Sequence, residues 1–156
     1  MSLIYIKGNL IDLAMDGMFD IIIHGCNCFN TMKSGIAKEI AERIPQAVYA
    51  DGQTIKGDKN KLGTWTSTYY GEKFMVVNAY TQYNYGRNPD PNVIYFDYNA
   101  FDKFLVNYRE FLFDTDVVGF PKIGAGLAKG DWDRISEMID KRFTGYCDKV
   151  YIVTLE

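Results

Sequence analysis

The spacing of apolar residues alternates between a strand period and a helix period along the whole chain. Leu3 to Ile6 is a short apolar run that stops at Gly8-Asn9, where Asn9 is placed to cap a helical turn over Leu10 to Met15. Phe19 to Ile23 carries three consecutive isoleucines, the unbroken run expected of a strand covered on both faces. After a polar, glycine-containing loop, Ile36, Ala37, Ile40, Ala41 and Ile44 recur at helical spacing, and Pro45 disfavours helix at Ile44. Thr64 to Tyr70 and Lys73 to Asn78 read as a hairpin turning through Gly71-Glu72. Tyr80 to Pro91, rich in Gly, Pro, Asn and Tyr, predicts a long loop, a kind that often carries function. Phe101, Phe104, Leu105, Tyr108, Phe111 and Leu112 form one helical stripe, and Asp116 to Phe120 is a strand ending at Pro121. A helix over Trp132, Ile135, Met138, Ile139 and Phe143 and a strand from Val150 to Leu155 complete the series. This order predicts an α/β fold with helices on both faces of a mixed sheet of about six strands.

No Pro/Ser linker, repeat or low-complexity tract interrupts the pattern, so residues 1–156 are expected to form one domain. With 47% hydrophobic and 24% charged residues, the chain is neither disordered nor a disulfide-dominated miniprotein. A net charge of -3 leaves no broad basic face, which argues against binding duplex nucleic acid or an anionic membrane and favours a small partner. No window approaches the ~20 apolar residues of a membrane span, and the N-terminus lacks the order of a signal peptide. A cytoplasmic setting is expected, in keeping with an odd number of cysteines, Cys26, Cys28 and Cys147.

In open α/β sheets ligands gather beyond the carboxyl ends of strands, here the loops after Ile6, Ile23 and Phe120. In Gly124-x-Gly126-x-x-x-Gly130, missing Cβ atoms let main-chain N–H groups close around an anion at a helix N-terminus. The segment is not a Walker A loop, and the same glycines serve equally as tight-turn and helix-packing residues. Thr31-Met32-Lys33-Ser34-Gly35-Ile36-Ala37 also joins a strand to a helix, so two helix N-termini could hold one diphosphate. Asn9 is a helix cap or an acceptor for an adenine amino group, and Asn27 is a turn residue or a partner for ribose hydroxyls.

His24, the only histidine, is either a hydrogen-bonded structural residue or a general base that orients water for attack on a phosphoryl group. It alternates with Cys26 and Cys28, but the short spacing and the lack of a fourth ligand argue against zinc, and neither metal nor cofactor is expected. Tyr80, Tyr83 and Tyr85 either pin the long loop or stack on a ligand.

Taken together, Tyr5-Ile6-Lys7-Gly8-Asn9-Leu10, Ile23-His24-Gly25-Cys26-Asn27-Cys28, Ser34-Gly35-Ile36-Ala37, and Pro121 to Leu127 followed by Asp131-Trp132 resemble the macro domain, the ADP-ribose-binding α/β module. The histidine-containing segment is similar to the branch holding the yeast-type ADP-ribose-1''-phosphate phosphatase and macro proteins of bacteria and phages. The resemblance implies a three-layer α/β/α fold with a mostly parallel sheet. It implies Gly8, Asn9 and Leu10 beside adenine, Asn27 at the distal ribose, and Ser34, Gly35 and Ile36 on one side of the diphosphate. Gly124, Ala125, Gly126 and Leu127 would take the other side, and His24 would serve phosphatase chemistry. The implied partners are ADP-ribose, ADP-ribose-1''-phosphate and ADP-ribosylated macromolecules. The related branch that frees protein carboxylates uses a lysine after the strand equivalent to Lys73–Asn78 and an aspartate in the last glycine loop. Here Ala79-Tyr80 and Ala128 fill those neighbourhoods, with Lys129 and Asp131 displaced from them.

Overall fold

The computed structural model describes residues 3–86 and 88–155. Six strands, β1 (Leu3–Lys7), β2 (Ile21–Cys26), β3 (Trp65–Tyr70), β4 (Phe74–Tyr80), β5 (Val117–Phe120) and β6 (Lys149–Thr154), form one sheet in the order β1-β6-β5-β2-β4-β3. Every pairing is parallel except the β3–β4 hairpin, so the carboxyl ends of five strands open on one edge. The sheet is mixed and mostly parallel, as expected.

Strand alternation distributes the side chains of β2 and β4 between two cores. Ile22, Phe74 and Val76 face α1 (Leu10–Met15), α2 (Gly35–Arg43) and α3 (Pro45–Gly52) through Leu10, Ile11, Ile40, Ile44 and Ala47. Ile21, Ile23, Val77, Val118, Phe120 and Ile152 face α4 (Tyr98–Tyr108) and α5 (Trp132–Phe143) through Phe101, Phe104, Ile135, Ile139 and Phe143. The three-layer α/β/α arrangement follows from this division. Among the described residues no helix is long and apolar enough to cross a membrane.

Four boundaries differ from the sequence reading, each for a local reason. Pro45 ends α2, as expected, but it also begins α3 at the first helical position, where its missing N–H costs nothing. The stripe over Phe101 to Leu112 breaks after Tyr108 into a 3₁₀ turn, Arg109–Phe111, which leaves Phe111 66% exposed. Strand β2 extends to Cys26 and β4 to Tyr80, because residues 24–26 pair in register with residues 78–80. Tyr80 is therefore a fully buried strand residue whose hydroxyl donates to Asp51, rather than part of the long loop. Arg87 of that loop lies outside the described residues.

Removing the Phe104 ring, which is fully buried and touches Trp65, Phe101 and Tyr108, is expected to cost about 3–5 kcal/mol. Urea unfolding of Phe104→Ala measures this; a loss below about 1 kcal/mol would contradict the placement of this ring at the centre of the α4–α5 core.

Candidate ligand-binding cleft

A cleft of about 750 Å³ crosses the carboxyl ends of the parallel strands. Leu155 after β6 lines one end, 121–128 after β5 together with Gly25 to Asn27, Thr31 and 33–37 at and beyond the end of β2 line the middle, and Thr81, Gln82, Tyr85 and Gly86 after β4 line the other end. Three strand spacings separate β6 from β4, so the cleft floor spans about 14 Å. Lys33 and Lys122 are on its wall, and among the described residues no aspartate, glutamate or histidine lines it. The surface favours an elongated anion.

The middle is built from main chain. Ser34 precedes α2 in extended conformation and makes no side-chain cap bond, so the first-turn amides of Gly35, Ile36 and Ala37 keep no partner among the described residues. Across the β5–α5 segment the amides of Gly124, Gly126 and Leu127 are likewise without a partner among the described residues. Gly124 adopts φ +76°, and a Cβ there would lie 2.3 Å from the Phe96 ring, so only glycine fits. A Cβ on Gly126 would meet nothing within 4 Å. The amide of Ala125 is used internally, donating to Lys122 O at 3.2 Å, so its expected contact through N–H is not available.

The structure separates the other expected residues. Asn27 lines the cleft, with its amide already engaged: Nδ2 donates to Thr31 and Oδ1 accepts from the Phe29 N–H. Gly8, Asn9 and Leu10 do not line the cleft. Gly8 N–H donates to Thr154 O, Leu10 is core, and Asn9 caps α1 through Asp12 N–H while its Nδ2 donates to Glu39. Lys129 and Asp131 also turn elsewhere. The Lys129 ammonium donates to the main-chain oxygens of Asn88 and Asp90, and Asp131 caps α5.

The expected catalytic role of His24 is not supported by its position. Because β2 runs on to Cys26, His24 is a strand residue pointing toward α3, fully buried and absent from the cleft lining. Its Nε2–H donates to Asn78 Oδ1 at 2.6 Å, and Asn78 Nδ2 in turn donates to Ala47 O and Thr66 Oγ1. Burial lowers the imidazole from 6.5 to about 4, opposed in part by the Asn78 hydrogen bond. Burial likewise raises the Cys26 thiol well above its usual range. Among the described residues no group of three His, Cys, Asp or Glu side chains could hold a metal ion.

No protein-family model matches the chain. An uncharacterized 17.5 kDa protein from the tk-vs intergenic region of Enterobacteria phage T4 is 35% identical over 159 residues, covering 97% of this chain and 94% of the relative. Among solved structures, the macrodomain of Mycobacterium tuberculosis DarG superposes with a TM-score of 0.72 at 18% identity, over 97% of this chain and 95% of that one. The chain belongs to the phage T4 protein's family and has the macrodomain fold. An ADP-ribose 1''-phosphate phosphatase of Lodderomyces elongisporus is 24% identical over 150 residues, 90% of this macrodomain and 92% of the relative. Thermosipho africanus DarTG in complex with ADP-ribose has a TM-score of 0.72 at 13% identity and covers 98% of this macrodomain, which spans 41% of that chain.

Sequence reasoning missed Thr81, Gln82 and Leu155. The signal for the first two was the apolar run Phe74 to Tyr80: read to its end, it puts Thr81-Gln82, not Ala79-Tyr80, at the carboxyl end of β4.

Since the folded imidazole titrates below the unfolded one, the unfolded state binds the extra proton between pH 6.5 and 4. His24 therefore stabilises the macrodomain fully above about pH 6.5, and that contribution falls by about 2 kcal/mol between pH 7 and pH 5. Denaturant unfolding of wild type and His24→Gln at the two pH values checks this; equal pH sensitivity in both would place the imidazole in solvent.

Proposed function

We propose that the cleft binds ADP-ribose, with its diphosphate held between the start of α2 and the Gly124–Leu127 segment. One observation carries the reading: two sets of main-chain N–H groups without partners line a single cleft free of acidic side chains among the described residues. Amides to an anion are charge-assisted, about 1.5–3 kcal/mol each, and the positive end of the α2 dipole adds to them. From this diphosphate seat the adenosine extends toward Leu155, and the distal ribose extends toward Asn27 and Thr81. The ADP-ribose held by the structurally similar Thermosipho protein supports this choice of ligand. The free cysteines Cys26, Cys28 and Cys147 support a reducing, cytoplasmic setting.

The activity named for the Lodderomyces relative supports a second reading, in which the distal ribose carries a phosphate that the protein removes. The lining offers no His or carboxylate base among the described residues, so such hydrolysis would depend on positioning water and on stabilising charge through amides and Lys33. Recognition of ADP-ribose attached to a macromolecule, with or without its hydrolysis, uses the same seat and leaves the open β4 end for the attached group.

Calorimetric titration with ADP-ribose is expected to show one site per chain, and no binding would refute the reading. Gly126→Phe, which fills open cleft space and keeps stability within about 0.5 kcal/mol, is expected to weaken binding more than 100-fold. Wild-type affinity in that variant would move the diphosphate elsewhere. Phosphate release from ADP-ribose-1''-phosphate separates hydrolysis from binding alone.

A further inference from the structure

A buried hydroxyl lies beside the cleft. Thr81 follows β4, is fully buried and borders the cleft, and its Oγ1 has no hydrogen-bond partner among the described residues. Its main chain is fixed on both sides, with N–H donating to Cys26 O and the carbonyl accepting from Asp97 N–H. The side chain fits because Gly25 lacks a Cβ, which would lie 2.7 Å from Oγ1. A buried hydroxyl without a partner costs about 1–3 kcal/mol, so an isosteric apolar residue would serve stability better. Valine at this position would fill the same volume.

We infer that Thr81 is a specificity-determining residue that hydrogen-bonds a hydroxyl-bearing group carried beyond the diphosphate. The inference rests on the proposed ADP-ribose site and assigns the β4 end of the cleft its reader. Position supports it: Thr81 lies one strand beyond β2 from the amides of Gly124 and Gly126, on the side opposite Leu155. A ligand ending at its second phosphate stops short of this residue. A ligand extended by a sugar reaches the β4 end of the cleft, which Thr81 lines. Because hydroxyls both donate and accept, the contact suits a ribose hydroxyl in either sense. A site that pairs a ligand hydroxyl discriminates strongly against a ligand lacking it.

Calorimetry with ADP-ribose and with ADP on wild type, Thr81→Val and Thr81→Ser tests the assignment, together with thermal melting of the ligand-free proteins. Thr81→Val is expected to lower ADP-ribose affinity about tenfold and leave ADP affinity unchanged, with a melting temperature equal to wild type or higher. Thr81→Ser is expected to keep ADP-ribose affinity within about threefold. Unchanged ADP-ribose affinity in Thr81→Val, equal losses for both ligands, or a lowered melting temperature would overturn the role. Failure of wild type to bind ADP-ribose would instead remove the proposed function, and this inference with it.

Discussion

An anion can be held by neutral main chain only where amides are left without internal partners, and a folded chain tolerates such amides only at its surface. Here that constraint is met at the carboxyl edge of a parallel sheet. A strand must end, the chain must turn, and the next helix must begin with donors that nothing inside the helix can satisfy. The start of α2 and the segment from Gly124 to Leu127 are two such places brought onto one cleft. Glycine matters at Gly124 because the Phe96 ring occupies the space of a side chain, and at Gly126 because a side chain there would enter open space at the cleft. Lys33 and Lys122 add positive charge to the wall of the cleft.

Beneath this edge the polar interior is closed on itself. His24, Asn78, Thr66 and the Ala47 carbonyl form one chain of hydrogen bonds linking β2, β4, β3 and α3. Lys61 is buried as well, donating to Cys28 O and Asn30 Oδ1 with its ammonium 4.9 Å from the Tyr80 ring centroid. Both networks satisfy their donors within the protein, and that is why they belong to architecture rather than to chemistry. Thr81 differs from them in having a buried polar atom left over.

The fold was legible where burial is uniform. Three isoleucines in a row read as a strand covered on both faces and form one in β2, and the stripes of α2 and α5 each needed one core to face. Strand ends were less legible, because a residue such as His24 or Tyr80 looks like loop chemistry until its neighbour in the sheet is known. Residues 24–26 are strand because residues 78–80 pair with them, a relation across 54 positions that no local pattern carries. The glycine segments announced the cleft, since missing side chains are visible in sequence. The use of each amide was not: Ala125 and Gly126 are adjacent and similar, yet one N–H is spent on Lys122 O and the other has no partner among the described residues. Asn9 had two readings, and the structure shows the helix cap, its Oδ1 accepting from the Asp12 N–H.

Phe96 has a further consequence. Its ring lies under Gly124, its N–H and that of Tyr95 converge on Ala128 O, and it pairs with Gln82 across the base of the long segment before α4. It acts as a wedge dividing that segment into a stem and a tip. Insertions or deletions between Gln82 and Tyr95 change the tip while the stem keeps its register, so descendants of this fold can reshape the far wall of the cavity without disturbing the Gly124–Leu127 segment.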